Sequence, residues 1–397
     1  MAIACSDCGT TQQTRALQGR GRLICCRCAN TLERATGRSL DSALALSLAT
    51  LLLLISANLM TLLQVTIAGV DRSSRLGSGF IEMWSEGWPL LAVVAGLQGV
   101  VLPFLRFGLL VTALGAIRSR RHVPWTGMLF RWAERLDLWA MPDVFLVGAA
   151  VGYSRVANRL PSHIEAGGWC LIAAAACAML TRASLDRRAV WRMVQCPEAP
   201  PTGPTIACRT CGLLVPASMQ GDHCPRCRAR LHRRQPFSLT FATALVAAGY
   251  LLYPVANYFP MSVDLQLGTP HPHTIANGVE QLLSAGFWPL ALLIFITSIA
   301  IPLLKLIGLT WLIWSVRRSA TRRLVTKTRL YRVIEEIGRW SNVDIFTIAI
   351  FLPLMQLRPL VSVRAAAGAP AFLAVIVLTM LAVRMFDPRL LWDCARP

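Results

Sequence analysis

The sequence predicts an all-α polytopic membrane protein. It is built as a tandem parallel repeat of two units, each a small cytoplasmic ribbon followed by a four-helix transmembrane domain with a small extracytoplasmic β-containing cap. Three observations predict this. Of 397 residues, 55% are hydrophobic and only 15% are charged, against about 25% charged in soluble chains. Apolar stretches and their polar landmarks recur at a nearly constant spacing of about 200 residues. Eight of the 13 cysteines fall into C-x2-C pairs, two pairs ahead of each set of apolar stretches.

A spanning helix needs about 20 predominantly apolar residues. No charged residue lies between Asp41 and Asp71 or between Arg234 and Asp264, so each gap holds one long span. Trp88 to Ile117 carries a single charge, Arg106, and Phe287 to Val316 carries only Lys305. Leu138 to Ser154 carries only Asp143, and Asn342 to Leu357 only Asp344. The last span of each half lies near Gly167–Thr181 and Ala365–Val383, for eight helices in two groups of four. The first apolar run starts after about forty residues, too late for a cleavable signal peptide. The implied domains are ribbons over 1–38 and 203–234 and membrane units over 39–192 and 235–397.

The formal charge of +20 would suggest nucleic acid in a soluble protein. Its distribution argues otherwise. The stretches 1–38, 118–135, 182–234 and 317–339 and the tail from Arg384 carry 32 Lys and Arg residues, whereas the opposite side carries six. By the positive-inside bias both termini and both ribbons are cytoplasmic. The charge is then mainly a topology signal, with a role for the basic loops in holding anionic lipid head groups left open.

The two halves share landmarks. Ala57-Asn58 matches Ala256-Asn257, and Trp88-Pro89-Leu90 matches Trp288-Pro289-Leu290. Pro103 and Arg106 match Pro302 and Lys305, Trp139 and Asp143 match Trp340 and Asp344, and Asp186 and Trp191 match Asp387 and Trp392. An even number of spans per unit gives both copies one orientation, related by an axis along the membrane normal. The Trp-Pro steps read as interfacial helix starts, and Pro103, Pro302 and Pro353 as kinks. After the first helix of the second unit, residues 261–267 alternate apolar and polar like a strand, and 268–273 read as a turn. For the first unit a plain loop is as compatible with the sequence.

Cys5-x2-Cys8 and Cys25-x2-Cys28 are separated by 16 residues, and Cys208-x2-Cys211 and Cys224-x2-Cys227 by 12. This is zinc-ribbon spacing. Four thiolates suit a tetrahedral Zn2+ and close its shell, which leaves no open position for catalysis. The cytoplasm is reducing, which disfavours disulfides. Segments this short bury little core, so two Zn2+ ions would supply much of their folding energy. Cys26, next to Cys25, leaves the third ligand of the first ribbon ambiguous by one residue.

A charged side chain inside the membrane costs roughly 2.5–3.5 kcal/mol on insertion scales, so it needs a partner or a task. Lys305 lies twelve residues before Arg317, roughly 18 Å along a helix, and Asp344 lies five residues after Arg339. Ser298, Ser341 and Thr379 fall at compatible depths and faces, so the five residues can form one polar cluster. The first unit keeps Arg106 and Asp143 but has Ala140 and Ala178 where the second has Ser341 and Thr379. A buried Lys can give up its proton whereas an Arg cannot. Proton-linked work is therefore expected at Lys305 and Asp344, and a structural ion pair at Arg106 and Asp143. Structural pairing remains the alternative for the former. Asn58 and Asn257 suit caps or packing contacts, and His271 and His273 suit a solvated turn.

The duplicated ribbon-plus-four-helix arrangement, the Trp-Pro starts, the Trp-x3-Asp-[Val/Ile]-Phe element and the Arg or Lys in the second helix resemble the paraquat-inducible protein A family, including its LetA-like members. The resemblance covers essentially the whole chain. It implies an inner-membrane partner of periplasmic MCE-domain proteins that moves phospholipid between membranes. It also implies that Ser298, Lys305, Ser341, Asp344 and Thr379 form the polar site of the second unit. No Gly-rich nucleotide loop ending in Lys-Ser/Thr is present, and the expectation is a transport component rather than an enzyme. The rival readings are a passive scaffold for the MCE assembly, a secondary transporter of a small solute or metal, and a thiol oxidoreductase.

Overall fold

A computed structural model describes residues 2–14, 19–35, 40–67, 70–119, 123–157, 161–194, 203–266, 269–284, 286–354 and 361–393. The first ribbon is two hairpins, Ala2–Ala4 (β1) with Thr11–Gln13 (β2) and Gly21–Ile24 (β3) with Thr31–Ala35 (β4). The first unit follows as helix Leu40–Leu59 (α1), strands Leu63–Ile67 (β5) and Val70–Ser74 (β6), and helices Ser78–Ser85 (α2) and Pro89–Arg118 (α3). It continues as Thr126–Leu136 (α4), Pro142–Ala157 (α5), strand Ser162–Ile164 (β7), Ala166–Ser184 (α6) and Arg187–Met193 (α7). The second ribbon holds strands Thr205–Ala207 (β8) and Leu214–Pro216 (β9). The second unit repeats the order: Ser238–Tyr258 (α8), Ser262–Gln266 (β10), Thr269–His273 (β11), Ile275–Ser284 (α9) and Trp288–Arg317 (α10). Then come Leu324–Ile337 (α11), Val343–Leu354 (α12), Val361–Ala365 (β12), Gly368–Met385 (α13) and Leu390–Asp393 (α14).

Among the described residues, six helices are long and apolar enough to cross a membrane: α1, α3, α6, α8, α10 and the segment Gly368–Asp393 containing α13. They present Leu52, Leu90, Leu251, Leu292 and Leu304 outward and bury their small residues. The other two expected spans are α5 and α12, whose described parts run 16 and 12 residues, short of the usual crossing length of about 20; residues 158–160 and 355–360, which follow them, lie outside the described residues. Both helices lie inside the molecule and pack on one another across the two units. The Phe145 and Phe346 rings, which occupy matching repeat positions, sit 5.1 Å apart. Thr347 donates its hydroxyl to the Gly148 carbonyl at 3.2 Å. A Cβ at Gly148 would lie 2.8 Å from the Phe346 Cβ, so only glycine permits this approach.

The Trp-Pro steps open α3 and α10 with proline in the first turn, where its missing N–H breaks no bond. Both helices then widen into a π-helical turn, Leu97–Val101 and Phe295–Ala300, just ahead of Pro103 and Pro302. The prolines remove a donor from the helical ladder, and the widened turn accommodates that loss.

Each unit carries a three-stranded antiparallel sheet, ordered β6-β5-β7 and β11-β10-β12. The first unit thus carries a sheet like that of the second rather than a plain loop. The stretch read as a turn after β10 is instead the edge strand β11 from Thr269, while 267–268 lie outside the described residues. Pro270 and Pro272 in β11 are tolerated because an edge strand has one side free of ladder bonds.

The ribbons are crossed. The first packs on the second unit: the buried sulfurs of Cys5, Cys8, Cys25 and Cys28 share a core with Leu309, Tyr331, Phe386 and Trp392. Arg332 of α11 pairs with Asp7 at 2.7 Å, and Arg27 stacks 4.9 Å over Trp392. The second ribbon shares a core with Phe107, Phe130, Trp191 and Val194 of the first unit. There the Arg226 carbonyl lies only 2.0 Å from where a Cβ on Gly127 would stand.

Candidate functional site

The two cysteine sets form two compact clusters. In each, the four sulfurs lie within 4.8 Å of one another and all four residues are buried. Sulfur separations are 3.5 Å for Cys5–Cys28 and Cys208–Cys227, and 3.6 Å for Cys8–Cys25 and Cys211–Cys224. Four thiolates at about 2.3 Å from a tetrahedral metal would stand about 3.8 Å apart, so the clusters fit such an ion with little adjustment. Cys25 contributes its sulfur, and Cys26 is exposed beside it. Paired turns build each cluster: the Cys5 carbonyl accepts from Gly9 and the Cys208 carbonyl from Gly212, both glycines at positive φ.

In the second unit, Lys305, Ser298, Ser341 and Thr379 are each no more than 2% exposed. Ser298 lies on the π-helical turn of α10 and Lys305 two turns below it. The Lys305 ammonium donates to the Gly338 carbonyl at 3.3 Å. Gly338 opens the 3-10 turn Gly338–Asn342 that carries Ser341, and the π-helical turn packs against it. Ser298 is 3.3 Å from the Thr297 hydroxyl, and Thr379 donates to the Ile376 carbonyl. The Ser341 hydroxyl and the Asn342 amide oxygen are buried with no hydrogen-bond partner among the described residues. Asp344 is the second residue of α12, next to this turn, but its side chain lies outside the described residues.

In the first unit, Arg106 and Asp143 belong to one charged cluster but do not face each other as the sequence suggested. Arg106 pairs with Asp137 at 2.6 Å, and Asp143 accepts from Arg182 at 2.7 Å. Arg182 from the end of α6 reaches Asp137 as well, at 2.9 Å, and so stands between the two. Arg187 adds a third guanidinium at 3.0 Å from Asp137. Burial alone would push the Asp137 carboxyl up. Arg106, Arg182 and Arg187 outweigh it and hold that carboxyl far below the usual carboxylate range. Burial pushes the neighbouring Glu134 carboxyl up, against Arg187 and the Trp191 indole that bond it.

Sequence reasoning missed Asp137, Arg182, Gln98 and Asn342. Gln98 sits on the π-helical turn of α3, 1% exposed, with both amide atoms unpartnered among the described residues. The counterpart of Thr297 by repeat spacing, it gives the first unit a polar residue where none was expected. Asn58 and Asn257 each donate to the carbonyl four residues back, at 3.0 and 2.9 Å, consistent with packing contacts.

The sequence model described as paraquat-inducible protein A matches residues 40–195 and again 239–396, one match per unit. The chain is 31% identical over 407 residues to the intermembrane transport protein PqiA of Escherichia coli (strain K12), covering 98% of this chain and 95% of that one. It is 28% identical over 397 residues to the lipophilic envelope-spanning tunnel protein A of the same strain, covering 98% and 90%. Identity to a probable intermembrane transport protein of Haemophilus influenzae is 25% over 399 residues, covering 98% and 95%. No solved structure matches the chain. The twofold match of the family to both membrane units, with near-complete coverage by relatives, establishes that the chain belongs to the paraquat-inducible protein A family.

Proposed function

We propose that this chain is a multi-pass component of the bacterial inner membrane that passes phospholipid to or from a periplasmic tunnel of MCE-domain proteins. The names of its relatives, intermembrane transport and envelope-spanning tunnel proteins, support the class of process. The observation that carries the reading is the buried polar cluster around Lys305 within a 30-residue apolar helix. On this reading 39–192 and 235–397 are the membrane units, α5 and α12 complete four crossings each, and the Lys and Arg bias places both ribbons in the cytoplasm. Zn2+ in the eight-cysteine sites would fix the ribbon folds and supply no reactive centre.

Lys305 and Asp344 exchange a proton, with Ser298, Ser341 and Thr379 as relay hydroxyls. Neutralising the pair removes the attraction that holds α10 to α12 and opens the cluster to a lipid head group. The membrane potential supplies about 2.3 kcal/mol per charge per 100 mV for such a step. The rival scaffold reading draws on the Lys305–Gly338 hydrogen bond, a contact that a purely structural lysine would also make. A photo-crosslinking residue at Ile301 in living cells separates them. Covalent phospholipid there, and little at the matching Leu102, is expected; no adduct on folded protein favours the scaffold. Lys305→Met or Asp344→Asn at normal expression should abolish transport, and full activity in both would remove the proton step.

A further inference from the structure

The two ribbons meet over a cleft of about 240 Å³ lined by matching parts of both copies. Ala4, Cys5 and Ser6 of the first ribbon face the cleft, as do Ala207, Cys208 and Arg209 of the second. The floor carries Arg188 and Arg389, which occupy matching repeat positions two residues after Asp186 and Asp387. Arg187 also lines it, but Glu134 and Asp137 already engage that guanidinium.

The other three arginines are held in place, and none of them makes an ion pair with a carboxylate among the described residues. Arg188 donates through Nε to the Leu32 carbonyl at 2.6 Å, and Arg389 through Nε to the Ser6 carbonyl at 3.0 Å. Each contact is to a neutral backbone oxygen, and it fixes the guanidinium while its terminal nitrogens keep no hydrogen-bond partner among the described residues. Arg209 is bonded to the neutral Gln235 amide. The acids nearby are otherwise engaged. Glu134 takes Arg187 and the Trp191 indole, Glu33 takes Arg192, and Asp387 accepts the backbone N–H groups of Gln235 and Arg389. The guanidinium that reaches a ribbon sulfur is Arg332, 3.5 Å from Cys28, outside this cleft.

Three guanidiniums converge on one cleft: Arg188 and Arg389 are anchored by Nε with their terminal nitrogens unspent, and Arg209 holds Gln235 through one terminal nitrogen with the other free of a described partner, so the three repel one another unless an anion sits between them. Planar forks of this kind match the oxygens of carboxylates and phosphates, and three converging guanidiniums suit the more highly charged phosphate. We propose that the cleft between the ribbons is a binding site for a phosphate group, held by Arg188, Arg209 and Arg389. Since its walls come from both ribbons and its floor from both units, an occupied site would draw the two halves together. The phosphate can come from solution or from an anionic lipid head group.

The test uses the full-length metal-loaded protein, purified in detergent free of anionic lipid. Inorganic phosphate is titrated and its 31P resonance followed. Broadening that saturates is expected for the wild type. Arg209→Gln, whose side chain is exposed and outside every core, should weaken it roughly tenfold or more. Arg188→Lys and Arg389→Lys keep the charge, drop the fork and should weaken binding with metal content unchanged. Repetition in phosphatidylglycerol nanodiscs separates the sources: loss of phosphate binding there identifies the lipid head group, and retention identifies free phosphate. The proposal is overturned if phosphate leaves the resonance unchanged in detergent and in phosphatidylcholine nanodiscs. It is equally overturned if broadening survives intact in all three variants.

Discussion

Asp137 is the anion against which three guanidiniums are arranged, and Arg106 has it as its direct ion partner at 2.6 Å while being only 3% exposed. Removing one member of a buried pair leaves the other charge uncompensated, typically at about 3–5 kcal/mol. Asp137→Asn should therefore lower the thermal midpoint clearly, whereas Asp41→Asn, whose partner Arg118 is well exposed, should barely move it. The pH dependence has a definite sign. A carboxyl with a depressed folded pKa contributes its full stability above its unfolded value, about 3.9, and loses it only as pH falls through the folded one. The difference between wild type and Asp137→Asn should thus be flat from pH 5 to 8, and a slope there would contradict the assignment. Arg106, Asp143 and Lys305 were legible because a lone charge in an apolar run is conspicuous. Asp137 was not, since it precedes its span and looks like a loop acid, and Arg182 looks like one more cytoplasmic cation. Gln98 and Asn342 carry no charge to draw notice, and only their buried amides, in part without a partner among the described residues, reveal them.

The six long apolar helices were legible element by element, because each apolar run is a local signal, sharpened in α3 and α10 by a Trp-Pro start; the shorter amphipathic helices between them, such as α4 and α11, were not. The π-helical turns were not, although the prolines that accompany them were read as kinks. Strand β10 was visible from its alternation, but its partner β12 lies about a hundred residues later, and such distant pairing leaves no local trace. The α5–α12 seam is likewise a contact between halves. It depends on Gly148, where any side chain meets Phe346 and the Val343 carbonyl. Gly148→Leu should destabilise by about 3 kcal/mol or more, at the upper end of overpacking costs. Gly108→Leu in α3, where nothing lies within 4 Å, should stay within about 0.5 kcal/mol. Chemical denaturation of the two variants in the same detergent measures both, and equal effects would mean the seam does not hold the units together.

At the scale of the molecule, chain order misleads about which parts support each other. Each ribbon precedes one membrane unit and packs on the other, with Arg332–Asp7 and Arg27–Trp392 tying the first ribbon to the second unit. The first ribbon keeps a lesser hold on its own unit through Arg188 and Arg192 of α7. Nothing in cysteine spacing distinguishes crossed from uncrossed packing, since the contact is made by side chains hundreds of residues apart. The consequence is reciprocal dependence. Cys5→Ser with Cys8→Ser dissolves the first cluster and should raise amide hydrogen exchange in α11 and α14, leaving α4 nearly unchanged. Cys208→Ser with Cys211→Ser should expose α4 and α7 and spare α11. Local protection tracks the packing over a segment, so the helices that lose it identify the unit each ribbon supports. Loss confined to the unit that follows the mutated ribbon in sequence would show that the crossed packing does not stabilise the protein. Loss in the other unit would mean that the two halves, duplicated in sequence, are stable only as a pair.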